Sequence, residues 1–209
     1  MTEIYMYGES PFPSDEKLDS LCREIHAANV EAGWWSDLQT GESTLETRNR
    51  PEMLMLSVSE LSEASDGWMT NEPDDKLGHL PMFDVELSDI AIRLFDTMGA
   101  YESILGRPTI GWRVARERAE RTGSMMRNET TNGALMLIVN ELSKAMEHFR
   151  KGRIEQYVQA MADAQMCVFK LAEQRGILLL DIIDQKRAFN RNRADHKIEN
   201  RRAEGGKQF

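Results

Sequence analysis

One eleven-residue stretch occurs almost twice. Leu54-Met-Leu-Ser-Val-Ser-Glu-Leu-Ser-Glu-Ala64 aligns with Leu135-Met-Leu-Ile-Val-Asn-Glu-Leu-Ser-Lys-Ala145, and eight of the eleven positions are identical. Amphipathicity alone does not reproduce that many identities, so the pattern reads as an internal duplication. Both copies space their apolar residues as a helix does, and an apolar helical stretch follows each. A lone helical hairpin leaves its apolar face in water. Two similar hairpins bury theirs against each other, as in a four-helix bundle. No segment alternates apolar and polar residues with β-branched enrichment, so the chain is expected to be all-α.

Punctuation along the chain supports this division. Residues 1–15, with Gly8, Pro11 and Pro13, read as an irregular arm, and Ser14 or Asp15 is placed to cap a helix to about Glu31. Gly33-Trp34-Trp35 and a polar loop from Ser36 to Asn49 follow. Pro51 suits the first turn of a helix reaching toward Gly67, because its missing N–H is harmless there. The segment Asn71–Pro81 is a loop, Met82–Met98 a helix, and Gly99, Gly106, Pro108 and Gly111 interrupt what comes next. A charged helix is expected over Trp112–Arg121. The second copy then gives Gly133–Arg150, a break at Lys151-Gly152, Arg153–Gln174 with Gly176 as C-cap, and Leu178 to about Arg193. We read a single all-α domain over 1–209, with repeat 1 at about 16–105, repeat 2 at about 130–195 and a basic tail at 186–209.

A chain of 209 residues can bury a substantial core. The formal net charge of -9 argues against a surface built to grip nucleic acid, although the tail is locally basic. Nucleic acid is therefore not an expected partner. Cys22 and Cys167 form no C-x-x-C and read as buried, reduced thiols of a cytoplasmic protein. The N-terminal segment lacks a basic stretch followed by an apolar run, and no stretch approaches the ~18 apolar residues of a membrane span.

Chemistry is concentrated in two carboxylate pairs, Glu60-Leu-Ser-Glu63 and Glu86-Leu-Ser-Asp89. Residues three apart share a helix face. Each pair therefore aims two negative charges one way, beside leucines and isoleucines that belong in a core. Crowded, desolvated carboxylates repel unless a cation compensates. Four oxygen donors suit Mg²⁺, with Mn²⁺ as a substitute, rather than zinc. Asp96 lies seven residues past Asp89 on the same face. The second copy has Glu141, Lys144, Ala160 and Asp163 at the matching positions, so two of the four acids are gone. One metal site is therefore expected, in the first repeat. No histidine follows a glutamate by three residues, so the Glu-x-x-His of di-iron bundles is missing. Trp68 and Trp112 read as packing residues.

The Glu60-x-x-Glu63 pair, a gap of about twenty residues and the Glu86-x-x-Asp89 pair resemble the signature of the MazG-like all-α nucleoside triphosphate pyrophosphohydrolases. Leu61-Ser-Glu-Ala64 and Ile90-Ala-Ile-Arg-Leu-Phe-Asp96 match its context. Lys186-Arg-Ala-Phe-Asn190-Arg-Asn-Arg193 is similar to the family's closing Lys, Asn and Arg, and Gly205-Gly-Lys207-Gln-Phe209 to its glycine-lysine tail. Gly33-Trp34-Trp35 is similar to an aromatic pair in such proteins. The chain departs from the pattern in its degenerate second copy, in Ala194 and in the inserted Ile198–Glu204 stretch.

The resemblance implies hydrolysis of the α–β phosphate bond of a (deoxy)nucleoside triphosphate, giving the monophosphate and pyrophosphate. Glu60, Glu63, Glu86 and Asp89 would hold one or two Mg²⁺ ions, and Glu63 would take the attacking water's proton. Lys186, Asn190 and Arg193, at i, i+4 and i+7, would meet the triphosphate, and Trp35 the base. A homo-oligomer, dimer or higher, is also expected. The alternative is a catalytically inactive helical protein that binds nucleotides or a partner.

Overall fold

The computed structural model describes residues 12–106 and 110–207. Most of the expected N-terminal arm (1–11), Pro108 and the last two residues of the tail lie outside the described residues.

Local signals start and stop the helices. Helix α1, Asp15–Glu31, begins where Ser14 Oγ accepts the Lys17 N–H at 3.3 Å. Asp15 and Glu16 put negative charge against the positive end of its dipole. Helix α2, Arg50–Thr70, is capped by Asn49 Oδ1, which accepts the Glu52 N–H at 3.2 Å, and carries Pro51 in its first turn. It ends on Asn71, whose φ of 54° is left-handed. Helix α3 spans Met82–Leu105 and α4 spans Trp112–Met126. Thr130 caps α5, Thr131–Arg150, and Gly176 closes α6, Ile154–Arg175, at φ 71° as expected. Helix α7 covers Leu179–Asn192, and a 3-10 turn leads into the short α8, Ile198–Arg201. Among the described residues there is no strand, only two isolated bridges.

Two helix ends lie five or more residues beyond expectation. Helix α4 continues five residues past Arg121. Helix α3 runs through Gly99 instead of ending beside it. An interior glycine weakens a helix by about 1 kcal/mol relative to alanine, but here it permits a close approach. A β-carbon at Gly99 would lie 2.3 Å from the Cys22 carbonyl oxygen of α1. The missing side chain is what seats α1 against α3.

Helices α2 and α3 form one antiparallel hairpin and α5 and α6 the other. The hairpins join through α3 on α6 and α2 on α5, which closes a four-helix arrangement. Outside it, α1 packs on α3 and α4 packs on α6, while α7 lies along α3. The main core runs through all of this: Leu18, Leu21, Leu87, Leu94, Ile138 and Ile183 are among its buried members. Each large apolar side chain buried this fully contributes about 1.5–3 kcal/mol. Trp112 is core, with its Nε1–H donated to Asp19 Oδ1 at 2.6 Å, whereas Trp68 is 47% exposed and packs edge-on to Phe83. Cys22 and Cys167 are buried and unbridged, and burial pushes the Cys167 thiol up to about 12. None of the described helices is long and apolar enough to cross a membrane.

Candidate functional site

The α2–α3 hairpin decides where the acids go. Glu60 shares its turn of α2 with Leu61 and Ala64, both buried, so it is drawn inward while Glu63 stays exposed. On α3, Glu86 lies between Val85 and Leu87, neither of which is exposed at all, and is itself only 4% exposed. Antiparallel packing then sets the two helix faces opposite each other. Glu60, Glu63 and Glu86 each offer a carboxylate oxygen within 4.8 Å of the others.

Asp89 is not part of that group of three. Its Oδ2 is paired with Lys186 Nζ at 2.8 Å, and Lys186 is 2% exposed. Glu60 Oε1 accepts from Arg93, from Nε at 2.6 Å and Nη2 at 2.5 Å. Glu63 and Glu86 have no cationic partner among the described residues. The cluster thus sets four carboxylates against two dedicated cations. Its electrostatics record the imbalance. Burial, a proton shared with Glu60 and the charges of Asp89, Glu60 and Glu63 push Glu86 up to about 9. Burial raises Asp89 to about 6 against the pull of Lys186. Burial and the Glu60 charge raise Glu63. Glu86 Oε2 is buried with no hydrogen-bond partner.

The matching region of the other hairpin is balanced. Glu141 Oε1 takes Lys144 Nζ at 2.7 Å. Asp163 is bound by Arg118 of α4 and accepts from Gln159 Nε2 at 3.0 Å. Each acid there has its own cation, and no cluster of three forms among the described residues.

The three glutamates and Asp89 line a cleft of about 410 Å³. Lys76, Lys186, Arg193 and Lys207 line it as well, together with Asn190 and Trp34. Lys186 and Asn190 therefore line the same cleft as the acids. Arg193 reaches it by another route. Helix α7 stops at Asn192 and Arg193 is extended, with ψ 127°, so the expected i+7 helical register does not hold. Its guanidinium is held by Asp195, Nε to Oδ1 at 2.9 Å, and Lys207 Nζ binds the same carboxylate at 3.1 Å.

Trp35 is not a cleft residue. It is 2% exposed, donates Nε1–H to Asp96 Oδ1 at 2.9 Å and meets the His26 ring edge-on at 4.9 Å. The two tryptophans follow each other in the turn after α1 and point apart; burial took Trp35, while Trp34 was left at the cleft. Trp34 is covered on its ring by the Arg201 guanidinium at 3.6 Å. Sequence reasoning did not single out Arg93 or Lys76. Arg93 sits one turn past Asp89, a usable signal, but its bond to Glu60 crosses between helices.

The chemistry of this donor set fits a hard divalent cation: oxygen ligands only, two of them without a cation and one with an unsatisfied buried oxygen. Comparison with protein-family models, with curated proteins and with solved structures yields no match.

Proposed function

We propose that this chain is a Mg²⁺-dependent pyrophosphohydrolase of (deoxy)nucleoside triphosphates, with its site on the first of two tandem repeats of the all-α NTP pyrophosphatase type. One observation carries the reading: Glu60, Glu63 and Glu86 converge in a cleft that six lysine and arginine side chains also line. A triphosphate with its cation needs both signs of charge side by side. The charge-balanced second hairpin supports the assignment to the first, since acids serving only solubility would not differ this way. The corresponding packing of α1 on α3 and of α4 on α6 supports the repeat and extends its second unit back to α4.

Glu60, Glu63 and Glu86 would hold the ion, with Asp89 joining if Lys186 turns to the substrate. Bound Mg²⁺ supplies charge neutralisation and a more acidic water. The chain's own residues do the rest. Lys186, Lys76, Arg193 and Lys207 orient and neutralise the phosphates. Glu63, the most exposed of the three and raised in pKa, takes a proton from the attacking water. The water oxygen bonds to phosphorus, the bridging P–O bond between the α- and β-phosphates breaks, and pyrophosphate leaves.

The test is pyrophosphate release from a panel of ribo- and deoxyribonucleoside triphosphates with Mg²⁺. Release that EDTA abolishes and Glu63→Gln cripples is expected. Silence across the panel, with nucleotide binding retained, would move the chain to the inactive binding class.

A further inference from the structure

Helix α3 carries a third buried carboxylate that neither the metal cluster nor the phosphates use. Asp96 is 8% exposed, yet it lines the same cleft, beside Trp34, Asn29 and Thr97. At 1.5 Å per residue it lies about 10 Å along the helix from Asp89 and about 15 Å from Glu86. That displacement from the acidic cluster matches the reach of a sugar and a phosphate.

The carboxylate is held by one oxygen only. His26 Nδ1 donates to Oδ1 at 2.9 Å, and Trp35 Nε1 donates to the same atom at 2.9 Å. Those two bonds use both lone pairs of Oδ1. No described residue donates to Oδ2. The carboxylate is thus held through one oxygen, and the other is left without a donor on a residue that lines the cleft. A carboxylate accepts hydrogen bonds and repels carbonyl oxygens. Adenine, cytosine and guanine offer an exocyclic amino group, whereas the ring edge of thymine or uracil sets a carbonyl on each side of one N–H.

We infer that Asp96 is the specificity-determining acceptor for the base, favouring nucleotides with an exocyclic amino group over those of thymine and uracil. The inference rests on the nucleotide reading above for the position of the phosphates. His26 and Trp35 are positioning residues, because they fix the carboxylate without reaching the cleft.

The experiment measures calorimetric binding of the α,β-imido analogues of dATP, dCTP, dGTP, dTTP and dUTP, alongside kcat/KM for the five hydrolysable nucleotides. For the wild-type protein dTTP and dUTP are expected to be the two weakest, by about ten- to a hundredfold, the scale of a hydrogen bond to a charged group. Asp96→Asn is expected to pull that ratio toward one, largely through better binding of dTTP and dUTP, since the amide N–H can donate to their carbonyls. A wild-type preference for dTTP or dUTP would overturn the inference, whether or not the variant folds. So would an Asp96→Asn protein that loses affinity for all five analogues alike with the ratio unmoved, the signature of a purely structural carboxylate. Base-selective binding that shifts in the variant without any pyrophosphate release would uphold the role of Asp96 and sink the hydrolytic reading.

Discussion

Replacing Glu86 by glutamine separates the stability of the site from its chemistry. The substitution keeps the shape of the side chain and removes an ionisable group from the crowded cluster. Two unit charges 4.8 Å apart repel by about 3 kcal/mol at an effective dielectric constant of 20. The metal-free protein avoids this by keeping Glu86 protonated, with its pKa raised from an ordinary 4.5 to about 9. A carboxyl group whose folded pKa is raised gives the native state its extra proton. The associated stability is complete below the unfolded pKa and is lost as pH rises through the interval from about 4.5 to 9. The amide of the Glu86→Gln variant carries no such proton and suffers no such loss. In EDTA the variant should therefore melt higher than wild type at pH 8, with a gap that shrinks toward pH 5. At about 2–4 °C per kcal/mol for a chain of this size, removing the cost of holding that proton, of the order of the ~3 kcal/mol repulsion it avoids, raises Tm by about 6–12 °C. On the proposed metal binding, added Mg²⁺ should reverse the order of benefit. At a concentration a hundredfold above Kd it stabilises the wild type by about 2.7 kcal/mol, or about 5–11 °C, and the variant far less. Thermal melts at pH 5 and 8, with EDTA and with Mg²⁺, read all four quantities. A variant that melts below wild type in EDTA at pH 8, and gains as much from Mg²⁺, would refute the account of Glu86 as a strained ligand.

Other perturbations probe separate parts of the structure. Glu63→Gln should lower kcat for pyrophosphate release by about a hundredfold or more while the fold survives, because the residue is exposed and is the one proposed to accept the proton of the attacking water; a circular dichroism melt beside the rate assay checks both. Lys186→Ala removes the cation from Asp89, whose pKa is about 6, so its cost in Tm should be greater at pH 8, where Asp89 is ionised, than at pH 5; breaking a buried pair costs about 3–5 kcal/mol at the ionised end, and equal losses at both pH values would contradict the pairing. Gly99→Ala forces a β-carbon to 2.3 Å from the Cys22 carbonyl oxygen, which should lower the urea midpoint by the equivalent of about 1–3 kcal/mol. An unchanged midpoint would mean that α1 is not seated on α3 at this point.

Much of the fold can be read along the chain, because helices depend on neighbours in sequence. The caps at Ser14 and Gly176 and the turn at Pro51 are local events and fall where expected. Gly99 shows the limit of such reading: alone it signals a break, and only the approach of α1 makes it an interior position of α3. The same division holds in the site. The two i,i+3 acid pairs follow from helix periodicity, so the sequence by itself determined that four carboxylates would lie on two adjacent faces. Which three converge, that Lys186 neutralises Asp89, that Arg93 meets Glu60, and that Trp34 rather than Trp35 borders the cleft were decided by tertiary packing. These contacts join residues far apart in the chain, and their pairing follows from how helices settle against one another, a matter of shape and burial that no local pattern encodes.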